Sequence, residues 1–275
     1  MAEREIEHLL STPSMAVLHV RCAGTCRHRS AEECSSVTHL VFPYRGVYVR
    51  HVGRRQAIAD ANQVLFFNAT EGYQVSHPVE GGDDSLVVRL SEDLLRELAP
   101  AAMLTSVGAL RFGRQHLRID AEVQALVVLL RHRLANQTLD SLAAETLPLS
   151  LVSRSLGPRS PREARATPAR RRLVDRVKLL LLADLSKRWK LAEIGAELGR
   201  SPVYLTQLFQ QIEGVPLYRY HLRLRLARAL EQLPHHEDLA ALALELGFSS
   251  HAHFTSSFRQ AYGRTPSEFR HAAAS

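Results

Sequence analysis

Cysteine is scarce in this chain, tryptophan almost absent, and long apolar runs are missing. Its 275 residues hold three Cys and one Trp. An odd cysteine count in a chain without an apolar leader argues against a disulfide framework. The longest apolar runs, such as 125–130, fall far short of the roughly 20 residues that cross a bilayer, so no membrane partner is expected. The opening MAEREIEH is charged and carries no signal-peptide core, which points to a cytoplasmic protein. A P-loop, a G-x-S-x-G elbow and an H-E-x-x-H pair are absent too, so the familiar signatures of catalysis are missing and no cofactor is implied.

Charge is present, but unevenly. From residue 162 to the end there are 18 Lys or Arg against 11 Asp or Glu, whereas residues 1–161 hold 17 of each. The whole net charge of +7 therefore belongs to the C-terminal part. A neutral module joined to one that meets a polyanion would look like this.

Residues 15–90 read as short strands: MAVLHV, THLVFPY, GVYVRHV, QVLFFN, YQVSH and SLVVRL. Gly, Pro, Asn and Asp punctuate them, which suggests a sandwich or small barrel. After Ser91, EDLLREL reads as a capped helix. A strand-like ALRF and two helices near 119–135 and 138–154 follow. The stretch SLGPRSPREARATP (155–168) has the composition of a linker, and everything beyond it reads as helix. The expected domains are 1–154, a linker 155–168, and 169–275.

The last part contains the same unit twice. IGAELGRSPVYLTQLFQQIEG (194–214) parallels LALELGFSSHAHFTSSFRQAYG (242–263). Up to the glycine the offset is 48, and beyond it 49, so the second turn has gained one residue. Each unit has the parts of a helix-turn-helix. A first helix ends at Leu-Gly, where glycine can take the left-handed position, and a serine then caps a second helix. Gly195 and Ala243 are small enough to let two helices approach. Leu205, Leu208 and Phe209 anchor one second helix; Phe254 and Phe258 anchor the other.

The opposite faces carry short polar side chains. In the first unit these are Arg200 and Ser201 at the helix start, then Val203, Tyr204, Thr206, Gln207 and Gln210. In the second they are Ser250, His251, Thr255, Ser256 and Arg259. Such residues suit a helix in a major groove, with Gln and Arg on base edges and Ser or Thr on phosphates. A single helix of this kind would ordinarily be a solvated face. Two copies in the segment that holds all the excess charge favour double-stranded DNA. Between them, residues 216–233 read as one helix with two apolar stripes (Leu222, Leu226, Ala229, Leu233 and Leu217, Tyr220, Leu224, Ala227). It would span about 27 Å, compatible with successive grooves roughly 34 Å apart. Its arginines, Arg219, Arg223, Arg225 and Arg228, fit phosphate contacts or surface ion pairs.

Residues 170–271 resemble the DNA-binding domain of the AraC/XylS family of bacterial transcription regulators. The spacing GF-x(5)-F-x(3)-F-x(4)-G-x(2)-P-x(2)-FR is met by Gly247, Phe248, Phe254, Phe258, Gly263, Pro266, Phe269 and Arg270. Gln207 and Ser256 depart from the pattern, standing where many members carry a basic residue. The front half looks like the cupin-type domain of such regulators. That resemblance implies an α+β chain. A cupin-like β-barrel with adjoining helices would sense a small-molecule effector, and an all-α domain with two helix-turn-helix units would bind the promoter. It further implies an activator that meets RNA polymerase, and a homodimer through the helices at 119–154, which could equally pack on the barrel.

A cupin-type metal enzyme is the alternative. His19, His39, His51 and His77 each stand alone without the H-x-H pair of metal-binding cupins, so no metal site is expected. Cys22, Cys26, His28, Cys34 and His39 cluster in sequence and admit a thiol or zinc sensor, but C-x(3)-C-x(7)-C is no standard zinc spacing. His77-Pro78 and the glycines after it read as a structural turn.

Overall fold

The computed structural model describes residues 4–105, 110–157 and 166–274. Of the expected linker, residues 158–165 lie outside the described residues, as does residue 109 of the ALRF stretch. The chain forms two compact units, residues 1–158 together with 267–275, and residues 159–266.

The first unit is built on strands. In chain order they are β1 (Arg4–Ser11), β2 (Met15–Cys22), β3 (His39–Gly46), β4 (Tyr48–Val52), β5 (Arg55–Ala59), β6 (Gln63–Phe67), β7 (Gln74–Ser76), β8 (Asp83–Leu90), β9 (Leu104–Thr105), β10 (Arg111–Phe112) and β11 (His116–Arg118). An antiparallel six-stranded sheet runs β1-β2-β8-β3-β6-β11, and a three-stranded one runs β5-β4-β7. Leu18, Val41, Leu65, Phe67 and Val87 of the larger sheet share a core with Tyr48, Ala57 and Val75 of the smaller. No ladder joins the two sheets into a closed barrel among the described residues.

The expected strands are all present; β1, β5, β9 and β11 are additions. Strand β1 lies in the charged opening and is mostly exposed, with Ile6 bare to solvent. It is held by its ladder to β2 on the sheet edge, which a hydrophobicity pattern does not register.

The helices begin where side-chain caps put them. Ser91, Asp120 and Asp140 each accept a backbone N–H, starting α1 (Glu92–Leu98), α2 (Ala121–Ala135) and α3 (Ser141–Leu156). Val123, Val127, Leu130 and Leu134 bury one face of α2, and its Gln124 side chain donates to Ala61 O at 2.7 Å.

The second unit contains α4 (Pro168–Ala183), α5 (Leu191–Leu198), α6 (Pro202–Glu213), α7 (Leu217–Gln232), α8 (Leu239–Glu245) and α9 (His251–Tyr262). A last helix, α10 (Pro266–Ala274), is grouped with the first unit beyond its opening residue. Val174, Val177 and Leu181 of α4 pack with Ile194, Leu205, Phe209 and, from α7, Leu217, Tyr220 and Leu224. The second stripe of α7 is also buried at Leu226, Ala229 and, just past its end, Leu233. One helix thus commits two sides to packing. No described helix is long and apolar enough to cross a membrane.

Candidate nucleic-acid interface and cavity

Both units fold as the repeat predicts. Helix α5 ends at Gly199 and α8 just before Gly247, with φ of +61° and +78°, where a side chain would be strained. The backbone closure is the same in each: Arg200 N donates to Gly195 O, and Phe248 N to Ala243 O, both at 2.9 Å. Those two bonds keep the offset of 48. The inserted residue falls immediately after them, before the caps. Ser201 Oγ accepts from Tyr204 N at 3.3 Å, and Ser250 Oγ from His253 N at 3.1 Å.

The insertion explains a difference between the units. A Cβ on Gly195 would lie 2.7 Å from Arg200 O and 3.3 Å from the Pro202 ring. Ala243, which holds the matching place, carries its methyl fully buried in a turn one residue longer.

Two helices, α6 and α9, each bury one side and expose the other. Leu205, Leu208 and Phe209 are buried on α6. On α9 the anchors are Phe254 and Phe258, in a run of rings in which Phe248–Phe254, Phe254–Phe258 and Phe258–Tyr262 centroids are 5.1, 5.7 and 4.6 Å apart. Full burial of such a ring stabilises by roughly 1.5–3 kcal/mol, so two of them can hold a short helix without help from its outer face.

Val203, Tyr204, Gln207 and Gln210 are exposed on α6, and His251, Ser256 and Arg259 on α9. Residues 203, 207 and 210 fall on one helix face, as do 252, 256 and 259. His251, Thr255, Ser256, Arg259 and Thr265 line a shallow depression along α9. Other expected contacts are partly occupied within the protein. Ser201 and Ser250 serve as caps, Thr206 Oγ donates back to Val203 O at 2.9 Å, and Arg200 reaches Gly199 O at 3.0 Å. Tyr204, Gln207, Gln210, His251, Ser256 and Arg259 remain exposed on the outer faces.

The arginines of α7 do not share one role. Arg225 is a structural clamp: it donates to the carbonyl oxygens of Leu185 (2.6 Å), Lys187 (2.8 Å), Gly247 (3.1 Å) and Ser186 (3.2 Å). Arg228 pairs with Glu231 at 2.8 Å. The sequence offered Arg225 equally to phosphate; its position on the helix gives no sign of four carbonyls arriving from elsewhere in the fold.

The first unit contains an open pocket of about 280 Å³. Leu18, Val41, Phe67 and Val75 supply apolar wall, and Arg4, Glu33, His39 and Arg89 supply polar wall. Three more lining groups converge at one place: Cys22, His77 and Asp83, all buried, with ligand atoms within 4.8 Å of one another. His77 Nε2 lies 2.7 Å from Asp83 Oδ1. Burial would lower the imidazole, but hydrogen bonds to Asp83 and Cys22 outweigh it and raise His77 to about 10. The hydrogen bond to His77 pulls the Cys22 thiol below its usual range against the effect of burial. Of the cysteine-rich segment only Cys22 joins this cluster; Cys26 is half-buried and Cys34 exposed. His77, read from sequence as part of a structural turn, is also a cluster member, though Gly81 and Gly82 do make the turn with positive φ.

Two helix-turn-helix units joined by one helix define a double-headed DNA-binding domain. Comparison with known proteins agrees. Residues 194–272 match the family described as a helix-turn-helix domain. The probable transcriptional regulator LumQ of Photobacterium leiognathi is 27% identical over 207 residues, 71% of this chain and 75% of LumQ. The regulator ExsA of Pseudomonas aeruginosa is 31% identical over 100 residues, 36% of each chain. The regulatory protein PocR of Salmonella typhimurium is 34% identical over 89 residues, so the chain spans under a third of PocR and about a third of ExsA. A solved AraC-type regulator from Chromobacterium violaceum shares 29% identity over 39% of this chain and 97% of that one, with a TM-score of 0.37. The C-terminal part is a helix-turn-helix domain similar to those of these transcription regulators, and this likeness supports a DNA-binding regulator. The relatives are regulators and lend no support to the metal-enzyme alternative.

Proposed function

We propose that this regulator is an effector-responsive activator acting in the cytoplasm. Domain 1–154 would be a cupin-like sensing module and domain 169–275 the promoter-binding module, with 155–168 linking them. The observation that carries the sensing half is the open pocket of about 280 Å³ in the first unit, which mixes apolar wall with Arg4, Glu33 and Arg89. An effector that binds one conformational state better than another shifts the population toward it, and so changes how the protein meets promoter DNA or RNA polymerase.

Promoter binding would use α6 and α9 in successive major grooves, each presenting its exposed face. Helix α7, with 16 residues, spans about 24 Å, a reasonable brace for two heads on one side of a duplex. Arg200 and Arg259, with the helix N-termini capped by Ser201 and Ser250, would hold phosphates. Val203, Tyr204, Thr206, Gln207 and Gln210 would read one half-site, and His251, Thr255 and Ser256 the other. Because α2 spends its apolar face inside the first unit, a homodimer would use the outer side of α3, where Leu142 is 74% exposed.

The test is selection of bound fragments from genomic DNA, followed by salt titration on the selected site. A regulator enriches a short list of promoters and loses affinity steeply as salt rises. Equal retention of all fragments would reject the reading.

A further inference from the structure

We propose that Cys22, His77 and Asp83 form a binding site for a thiophilic divalent cation, of which zinc is the type. The three come from separate segments: the end of β2, the turn after β7 and the start of β8. All three are buried, at 7%, 1% and 5% exposure. His77 and Asp83 stand six residues apart across one turn, and the β2–β8 ladder brings Cys22 opposite Asp83, so a thiol, an imidazole and a carboxylate meet at one point.

The ligand set fits a borderline cation. One thiolate and one carboxylate balance a double positive charge, and imidazole completes a mixed S, N, O set of the kind zinc accepts. From ordinary bond lengths, donor atoms around tetrahedral zinc stand about 3.3–3.6 Å apart. Here they lie within 4.8 Å, and His77 Nε2 and Asp83 Oδ1 are already at 2.7 Å, so an adjustment of about 1 Å seats the ion.

The surroundings hold the donors in place. His77 N donates to Cys26 O at 2.6 Å, and Ser85 Oγ lies 3.4 Å from Asp83 Oδ2. The Ser85 bond to the carboxylate is of the kind that orients a metal ligand, and the backbone bond fixes the segment that carries His77. Backbone packing adds rigidity, since a Cβ on Gly24 would lie 2.6 Å from Gly82 Cα. The cluster lines the pocket, so a fourth position opens there for water or an oxygen of a bound molecule. Three protein ligands with one open position is the arrangement of a reactive or sensing zinc site rather than a closed structural one. This site stands on the first unit alone and does not depend on the effector or promoter reading.

The test is titration of the chelator-treated full chain with Co²⁺ as the probe. One equivalent should produce a thiolate-to-cobalt charge-transfer band with visible bands of four-coordinate geometry. Cys22→Ala should abolish the charge-transfer band. His77→Gln and Asp83→Asn should weaken affinity at least about tenfold, the usual loss for a disturbed metal ligand shell. The double variant Cys26→Ser/Cys34→Ser should keep the band. No charge-transfer band in the folded wild type, or one that survives in Cys22→Ala, overturns the site. If Cys22→Ala fails to fold, alkylation of the wild type decides: cobalt should shield Cys22 while Cys34 stays reactive, and equal labelling of Cys22 with and without cobalt sinks the proposal.

Discussion

Arg225 Nη1 donates to the carbonyl oxygen of Gly247 at 3.1 Å. A guanidinium on the connecting helix thereby holds the turn of the second helix-turn-helix unit, and its other nitrogens hold residues 185–187. Gly247 has no room for a side chain beside Ser186 and Arg225, so clamp and glycine require each other. A lysine has one ammonium and cannot serve four carbonyls in a fixed fork. Arg225→Lys should cost about 2–4 kcal/mol, read by urea unfolding, because bonds to a charged group contribute about 1.5–3 kcal/mol each and are only partly replaced. Unchanged stability in Arg225→Lys would mean that the four carbonyl contacts contribute nothing.

Arg259 is the opposite case, exposed on the outer face of α9. Arg259→Ala should weaken binding to many DNA sequences alike and reduce the salt slope by about 1. Fluorescence titrations at several salt concentrations measure both.

Gln207 sits one turn after Val203 on the exposed face of α6. Gln207→Ala should shift base preference at one position, worth about 1–3 kcal/mol of discrimination, with little change in nonspecific affinity. An unchanged preference in a binding-site selection would show that α6 is docked differently.

Gly195 and Ala243 occupy matching places in unequal turns. Gly195→Ala should destabilise the second unit by roughly 1–3 kcal/mol, the usual range for overpacking, because its methyl meets backbone at Arg200 O. Chemical denaturation reads the change. A neutral or stabilising result would mean that the first turn relaxes to the geometry of the second.

Two buried histidines predict acid sensitivity. Burial lowers His39 to about 4 and His221 to about 4, the latter aided by Arg225. Both stay neutral in the folded chain while the unfolded chain takes up protons below about 6.5. Their contribution is therefore complete above pH ~6.5 and is lost as pH falls toward ~4, on the order of 3 kcal/mol each. Unfolding midpoints followed from about pH 7.5 to 4.5 should fall, and His221→Gln should flatten the fall for the second unit.

The two helix-turn-helix units were legible because their signals are local. Ser201 and Ser250 cap, Gly199 and Gly263 take positive φ, and Leu205, Phe209, Phe254 and Phe258 repeat at helical spacing. Each feature depends on neighbours within one or two turns. The duplicated pattern then supplied what a single helix could not, a reason to separate a DNA-facing surface from a merely wet one. The strand region was legible as strands for the same reason, through alternation and turn residues. Its pairing order was not, because partners such as β2 and β8 meet across more than sixty residues of chain.

The sequence alone determined where helices start and stop, which sides they bury, and that a basic double-headed domain follows a strand-rich one. Such choices follow from backbone capping and side-chain spacing over short distances. Only the tertiary structure decided that Arg225 clamps carbonyls instead of meeting phosphate, that Gly195 has no space for a methyl, and that His77 leaves its turn to join Cys22 and Asp83. For Arg225 and Cys22 the deciding atoms come from segments far apart in the chain, which only packing brings together; for Gly195 they lie a few residues on, in a turn whose exact path a residue pattern does not give.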